Sequence, residues 1–359
     1  MTINVTKSYL PPIEEYEELL QKIWDNSVLT NQGPLLTQLE QKLVKFLNVD
    51  KLQFVTNGTI ALQIALEALD IKEGEVITTP FSYVATTSAI LWQRCKPVFV
   101  DIESSNFTID VKKIENAITS KTKAIIPVHV FGYACNTEEI EKIAKKYNLK
   151  VIYDAAHAFG SKYKSKSLVS FGDISCVSFH ATKLFHTIEG GACITADDKL
   201  YKQIDLIKRF GHNQNAHITL GINGKQSEFN AAMGLVNLKH IEYIIKERKR
   251  VSELYDTLLS GYVDRPKLQK DLDYNYSYFP ILFKDEKELL RTFDILKEND
   301  IFPRRYFYPS LNRLPYLANK EKCPISENIC SRIACLPLYP SLTNQDVERI
   351  SKIIIDTVK

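Results

Sequence analysis

The sequence predicts an α/β protein, with a large domain built on a mainly parallel central sheet and a smaller C-terminal α/β domain. Three observations predict it. Short apolar runs recur between residues 76 and 195, and segments with apolar residues at helical spacing separate most of them. Beyond a long helical stretch near residue 240, strand and helix patterns resume on a smaller scale. Near-continuous apolar strands alternating with helices are what a parallel sheet covered on both faces requires.

The elements follow in order. Ile13, Tyr16, Leu20 and Ile23 have the three–four spacing of an amphipathic helix. After the break Asn31-Gln32-Gly33-Pro34, a second helix is marked by Leu36, Leu39, Leu43 and Phe46. Strands are expected at 76–78, 97–100, 124–128, 150–153, 174–178 and 192–195. Helices are expected at 60–69, 84–92, 111–118 and 138–147. One long helix is expected from Phe229 to Tyr255, bridging a large domain (1–240, with the N-terminal helices) to a small one (241–359). The small domain should hold a strand at 279–283 and helices at 286–299 and 344–358. Thr343 and Asp346 have capping-box spacing for the last helix.

Composition narrows the function. A net charge of +3 on 46 basic and 43 acidic residues gives no reason to expect a nucleic-acid or membrane partner. The cluster Lys246, Arg248, Lys249, Arg250, interrupted by Glu247, reads as a solvated helix face. Residues 1–20 carry no signal-like apolar core, and no run approaches the ~18 apolar residues of a spanning helix. A cytoplasmic protein is expected. The seven cysteines form no C-x-x-C pair and lack nearby histidine partners, so they read as small buried hydrophobes, and no metal site is expected.

Chemistry concentrates at a few positions. Lys183 lies in Ser178-Phe179-His180-Ala181-Thr182-Lys183-Leu184-Phe185-His186, just ahead of Glu189-Gly190-Gly191. Asp154 closes the apolar run Val151-Ile152-Tyr153. A partly desolvated lysine that forms a Schiff base and a buried carboxylate that holds a pyridine nitrogen are what a pyridoxal phosphate enzyme needs. Asp154 at a strand end could instead cap the next helix through Ala155-Ala156. Asn57-Gly58-Thr59, ahead of a helix, offers free N–H groups, a glycine and a hydroxyl for a phosphate. Ser178 could add a second hydroxyl, or bond only to backbone. Tyr83 is the candidate for stacking on a planar ring, with Phe81 as its competitor. His157 could touch the cofactor or be purely structural. His180, Thr182, His186 and Glu189 are candidates for orienting substrate.

These segments resemble the DegT/DnrJ/EryC1/StrS family of pyridoxal phosphate-dependent nucleotide-sugar aminotransferases. The resemblance rests on Asn57-Gly58-Thr59, on 153–160 (Tyr-Asp-Ala-Ala-His-Ala-Phe-Gly) and on 178–191. It extends to 31–35, 221–223, 228–232 and 308–311. It implies the aspartate aminotransferase-like fold type I. By position it implies Lys183 as the Schiff-base lysine, Asp154 at the pyridine nitrogen, and His157 and Tyr83 beside the ring. Gly58, Thr59 and Ser178 would hold the phosphate, and Asn223 would reach it from a neighbouring subunit, which implies a homodimer. Lysine at 183 favours transamination over the dehydratase branch, which carries histidine there. L-Glutamate would be the donor and a nucleotide-linked ketosugar the acceptor. Residues 79–87 and 178–183 look most like members acting on dTDP-4-keto-6-deoxyglucose to give dTDP-4-amino-4,6-dideoxyglucose for O-antigen or related glycans. A 3-keto-6-deoxyhexose acceptor, a sugar dehydratase and a non-catalytic regulatory relative are the alternatives.

Overall fold

The computed structural model describes residues 2–317 and 321–359. A seven-stranded sheet organises the larger part of the chain. Its strands are β1 (Lys51–Val55), β2 (Glu75–Thr78), β3 (Lys96–Phe99), β4 (Thr122–Ile126), β5 (Lys150–Asp154), β6 (Ile174–Ser178) and β7 (Gly191–Thr195). In space they run β1-β7-β6-β5-β4-β2-β3. Neighbours from β3 to β6 are parallel, and β7 is antiparallel to both β6 and β1. The expected mainly parallel sheet is therefore present.

Side chains alternate across this sheet, as a period of two requires. Phe54, Val177 and Ala192 join the apolar cluster made with α1 (Ile13–Asn26), α2 (Pro34–Leu47) and a later helix, α8 (Glu228–Lys239). Their neighbours Val55, Cys176 and Cys193 face the opposite cluster, made with α3 (Gly58–Ala68), α4 (Ala85–Trp92) and α7 (Asp198–Lys208). Helices α5 (Val111–Ala117) and α6 (Thr137–Tyr147) cover the β4–β5 part of the sheet with Ile114, Ile140 and Ile143. All seven cysteines are buried.

The expected long helix from 229 to 255 is two helices. His240 leaves helical geometry (φ −100°, ψ 4°) between α8 and α9 (Ile241–Leu259). The break is pinned from outside, because Lys239 and His240 both pair with Glu15 of α1 at 2.9 and 2.8 Å. The basic cluster on α9 is also not one solvated face. Arg248 is buried and donates to the carbonyls of Tyr276, Ser277 and Leu338 at 3.1, 2.9 and 2.7 Å.

Toward the C-terminus, β8 (Phe279–Leu282) pairs antiparallel with β9 (Ile333–Leu336). Residues of α9, α10 (Glu286–Glu298) and α12 (Asn344–Val358) pack on this pair, and α11 (Pro324–Arg332) leads into β9. Ile3–Asn4 pairs in parallel with Ile301–Phe302, so the first described residues join this C-terminal cluster. The Thr343–Asp346 capping box is present on α12. Among the described residues no helix is long and apolar enough to cross a membrane.

Candidate active site

The carboxyl ends of β5 and β6 meet the N-terminus of α3, the place where open α/β sheets bind ligands. Asp154 is the last residue of β5 and is buried. Its Oδ2 accepts from the Thr86 hydroxyl at 2.7 Å, and its Oδ1 accepts from the Ala156 N–H at 3.2 Å. No helix follows β5 for Asp154 to cap; the Ala156 bond closes a turn and uses one oxygen only. Burial pushes the Asp154 carboxyl up, opposed by those hydrogen bonds and by the charge of Lys183.

Lys183 lies on the turn after β6, where its N–H donates to the His180 carbonyl at 2.8 Å. The residue is half-buried, and desolvation of its amine lowers the pKa against the opposing pull of Asp154. Each group therefore leans toward its neutral form, while the charge of each favours the ionised form of the other. Lys183 Nζ donates to the Tyr278 hydroxyl at 3.3 Å. A small cleft lies here, lined by Ala156, His157, Ser178, Thr182, Lys183 and Tyr278 among others.

His157 is buried, with its Nδ1 accepting from the Phe131 N–H at 3.0 Å. That bond leaves the ring proton on Nε2. Burial, then the nearby Lys183 charge, drives its pKa well below the ordinary value, so the ring is neutral. Next to Ser178, which lines the cleft, α3 begins, and the Asn57 side chain accepts from Ile60 N–H at 2.9 Å. Gly58 follows, and a Cβ there would lie 2.9 Å from Ser178 Cβ. A Cβ on Gly191 would lie 2.5 Å from the Asn57 carbonyl carbon. Both glycines let β6 and β7 close on the first turn of α3, setting Gly58 and Ser178 in contact. Free N–H groups at a helix start are donors of the kind that can hold an anion.

The other candidates separate. Phe81 is a core residue, packed against Phe107, Phe131 and Phe307. Tyr83 is 61% exposed and an electrostatic neighbour of Lys183, so the exposed aromatic beside the site is Tyr83. His180 bonds Thr182 Oγ1 at 2.8 Å, and its Nε2 lies 3.5 Å from Glu189 Oε1. His186 is drawn inward, with Nε2 on the Tyr9 carbonyl at 2.7 Å and Nδ1 accepting from Ile188 N–H, so both ring nitrogens have structural partners. Asn223 is exposed, bridged to Arg209, and does not line the cleft. Sequence reasoning missed Thr86 and Tyr278. Thr86 lay inside a motif already singled out, whereas Tyr278 carries no local signal.

Comparison with known proteins agrees with this geometry. The family model described as the DegT/DnrJ/EryC1/StrS aminotransferase family matches residues 12–355. A dTDP-4-amino-4,6-dideoxy-D-glucose transaminase of Escherichia coli is 45% identical, over 99% of this chain and 98% of that protein. An enzyme of the same name from Shigella dysenteriae is 44% identical, over 97% of each. Among solved structures, DesI in the presence of its TDP-sugar product superposes with a TM-score of 0.95 at 27% identity, covering 99% of this chain and 93% of that one.

The cofactor of such enzymes, pyridoxal 5′-phosphate, brings a phosphate, a basic ring nitrogen and an aldehyde. This chain has a glycine-lined helix start for the first, a buried carboxylate for the second and a desolvated amine for the third. On the strength of that fit and of a match running through nearly its whole length, the chain belongs to the DegT/DnrJ/EryC1/StrS family of pyridoxal phosphate-dependent aminotransferases.

Proposed function

We propose that this aminotransferase moves the amino group of L-glutamate to dTDP-4-keto-6-deoxy-D-glucose, giving dTDP-4-amino-4,6-dideoxy-D-glucose for O-antigen or a related glycan. The observation that carries the reading is the 45% identity to the Escherichia coli transaminase of that product over almost the full length of both chains. Lysine, not histidine, at 183 supports amine transfer over dehydration.

In this reading Lys183 binds the cofactor covalently through Nζ, and Gly58, Thr59 and Ser178 hold its phosphate. Asp154 keeps a proton on the ring nitrogen, and Thr86 helps hold that carboxylate ionised. Tyr83 stacks on the ring and neutral His157 orients it from beside Asp154. Bound there, pyridoxal 5′-phosphate supplies an electron sink for the carbon losing its proton. Once freed, the Lys183 amine carries the proton between the substrate carbon and the cofactor carbon C4′. His180 and Glu189 are the weaker candidates for touching substrate. Asn223 completes the phosphate site from a partner subunit, so the working unit is a homodimer, and the enzyme works in the cytoplasm.

The test is direct. Cofactor-loaded protein with L-glutamate and dTDP-4-keto-6-deoxy-D-glucose should release 2-oxoglutarate and amino sugar in equal amounts, with amination at C4 by NMR. An amino sugar formed only from a 3-keto, GDP- or UDP-linked acceptor would replace the substrate assignment. No glutamate-dependent product from any of them would end the reading.

A further inference from the structure

We propose that Tyr278 is the positioning residue for the reacting amine, its hydroxyl oxygen accepting from Lys183 Nζ at 3.3 Å and fixing where that amine stands when it is free of the cofactor. The inference rests on the Lys183 assignment above and adds to it a residue 95 positions away in the chain.

The first support is rigidity. A lysine side chain carries about 2 kcal/mol of rotamer entropy, so a free amine wanders unless an acceptor holds it. Tyr278 is suited to that task because it is packed and hydrogen-bonded on several sides. It is buried, and its ring lies 4.7 Å from His157, 5.5 Å from Phe131 and 5.7 Å from Tyr306. Its carbonyl accepts from the Tyr274 hydroxyl at 2.9 Å. The preceding residues are stapled to the loop after β5. Asn275 Nδ2 donates to the carbonyls of His157 and Phe159, both at 2.8 Å, and Ser277 Oγ donates to the His157 carbonyl at 3.1 Å. Arg248 fixes the carbonyls of Tyr276 and Ser277 from the other side.

The second support is charge. The titratable groups facing Lys183 are Asp154 from β5, His157 from the loop after it, Tyr83 ahead of α4, Tyr306 from the C-terminal segment and Tyr278 itself. Asp154 already favours the charged amine, and a second carboxylate would hold it protonated. Burial pushes the Tyr278 phenol far up, so it stays un-ionised and holds the amine without adding negative charge. A neutral oxygen binds an ammonium more strongly than an amine. Removing it should therefore make Lys183 easier to deprotonate.

Tyr278→Phe tests this, with Tyr255→Phe as control, because Tyr255 is a fully buried phenol in the C-terminal cluster that bonds neither Lys183 nor Tyr278. Cofactor-free protein is given pyridoxal 5′-phosphate across a pH series. The rate of borohydride-stable attachment is read by peptide mass, together with kcat and KM of the loaded enzyme. In Tyr278→Phe the attachment midpoint should fall by about one pH unit, and kcat by about tenfold with KM unchanged. Tyr255→Phe should move neither. A wild-type midpoint and kcat in Tyr278→Phe, or an equal shift in Tyr255→Phe, overturns the proposal. Attachment at a lysine other than 183 in the wild type overturns the Lys183 assignment instead, so the two failures are distinguishable.

Discussion

Asp154 and Lys183 lie in stretches whose local chemistry marks them. A carboxylate closing an apolar strand must be buried, and buried charge requires a partner. A lysine between Phe179 and Leu184-Phe185 must lose hydration. Tyr278 is different. In Tyr274-Asn275-Tyr276-Ser277-Tyr278 nothing local distinguishes one tyrosine from another, and only the fold chooses which one meets Lys183. His186 errs the other way, since a histidine near the lysine looks functional until its ring nitrogens are seen on Tyr9 and Ile188. Two outcomes are expected at this scale. Lys183→Ala should stay folded but lose borohydride-stable cofactor attachment and all amine transfer. Asp154→Asn should keep the Thr86 contact and the cofactor, while kcat falls by roughly 10²–10³-fold. Absorbance of the bound cofactor and steady-state kinetics check both.

Most elements were readable because periodicity alone marks them, and the misses have physical causes. Strand β1 was not recognised because Lys51 and Gln53 interrupt its apolar run, although Gln53 is buried. Helix α7 hides its inner face because it ends on Lys208, which is buried and bonds the Phe54 carbonyl at 3.3 Å. The α8–α9 break has no proline or glycine to announce it, and the apolar spacing runs straight through it. The Glu228-Phe229-Asn230 motif gains a structural meaning that sequence could not supply. The fully buried Glu228 carboxylate accepts from Leu35 and Leu36 N–H, both at 2.8 Å, and so caps α2. A Cβ on Gly33 would sit 2.4 Å from that carboxyl carbon. Glu228→Ala strands two helix-start donors, and an expected loss of about 2–4 kcal/mol should appear in the urea midpoint.

Across the whole molecule, stability should depend on pH through buried histidine. His129 is fully buried, stacked at 4.5 Å on Tyr153, and its pKa is lowered by burial to about 3. Below the ordinary histidine value the unfolded chain binds a proton that the folded chain refuses. Stability is therefore complete above roughly pH 6.5 and falls as pH drops toward about 3, by up to about 1.4 kcal/mol per pH unit. His157 adds a slope of the same sign. Urea unfolding at about pH 7 and about pH 5 should show the loss, and His129→Gln should reduce the difference. The shared-site assignment has its own test, because Asn223 does not line the cleft of its own chain. Mixing inactive Lys183→Ala and Asn223→Ala subunits should restore activity to roughly a quarter of wild type, since half the dimers are hybrids with one intact site. No restoration would place Asn223 outside the partner's site.

Arg248 has a mechanical consequence. Among the described residues it has no counter-charge and is held by three carbonyls, and burial lowers its pKa to about 10. Pulling Tyr276 or Ser277 away would strip an acceptor from a buried guanidinium, which is costly. The seam between α9 and the segment leading into β8 is therefore the anvil of the site. The cleft thus has a braced side at Ser277 and Tyr278, while the aromatic near its lysine, Tyr83, stands exposed.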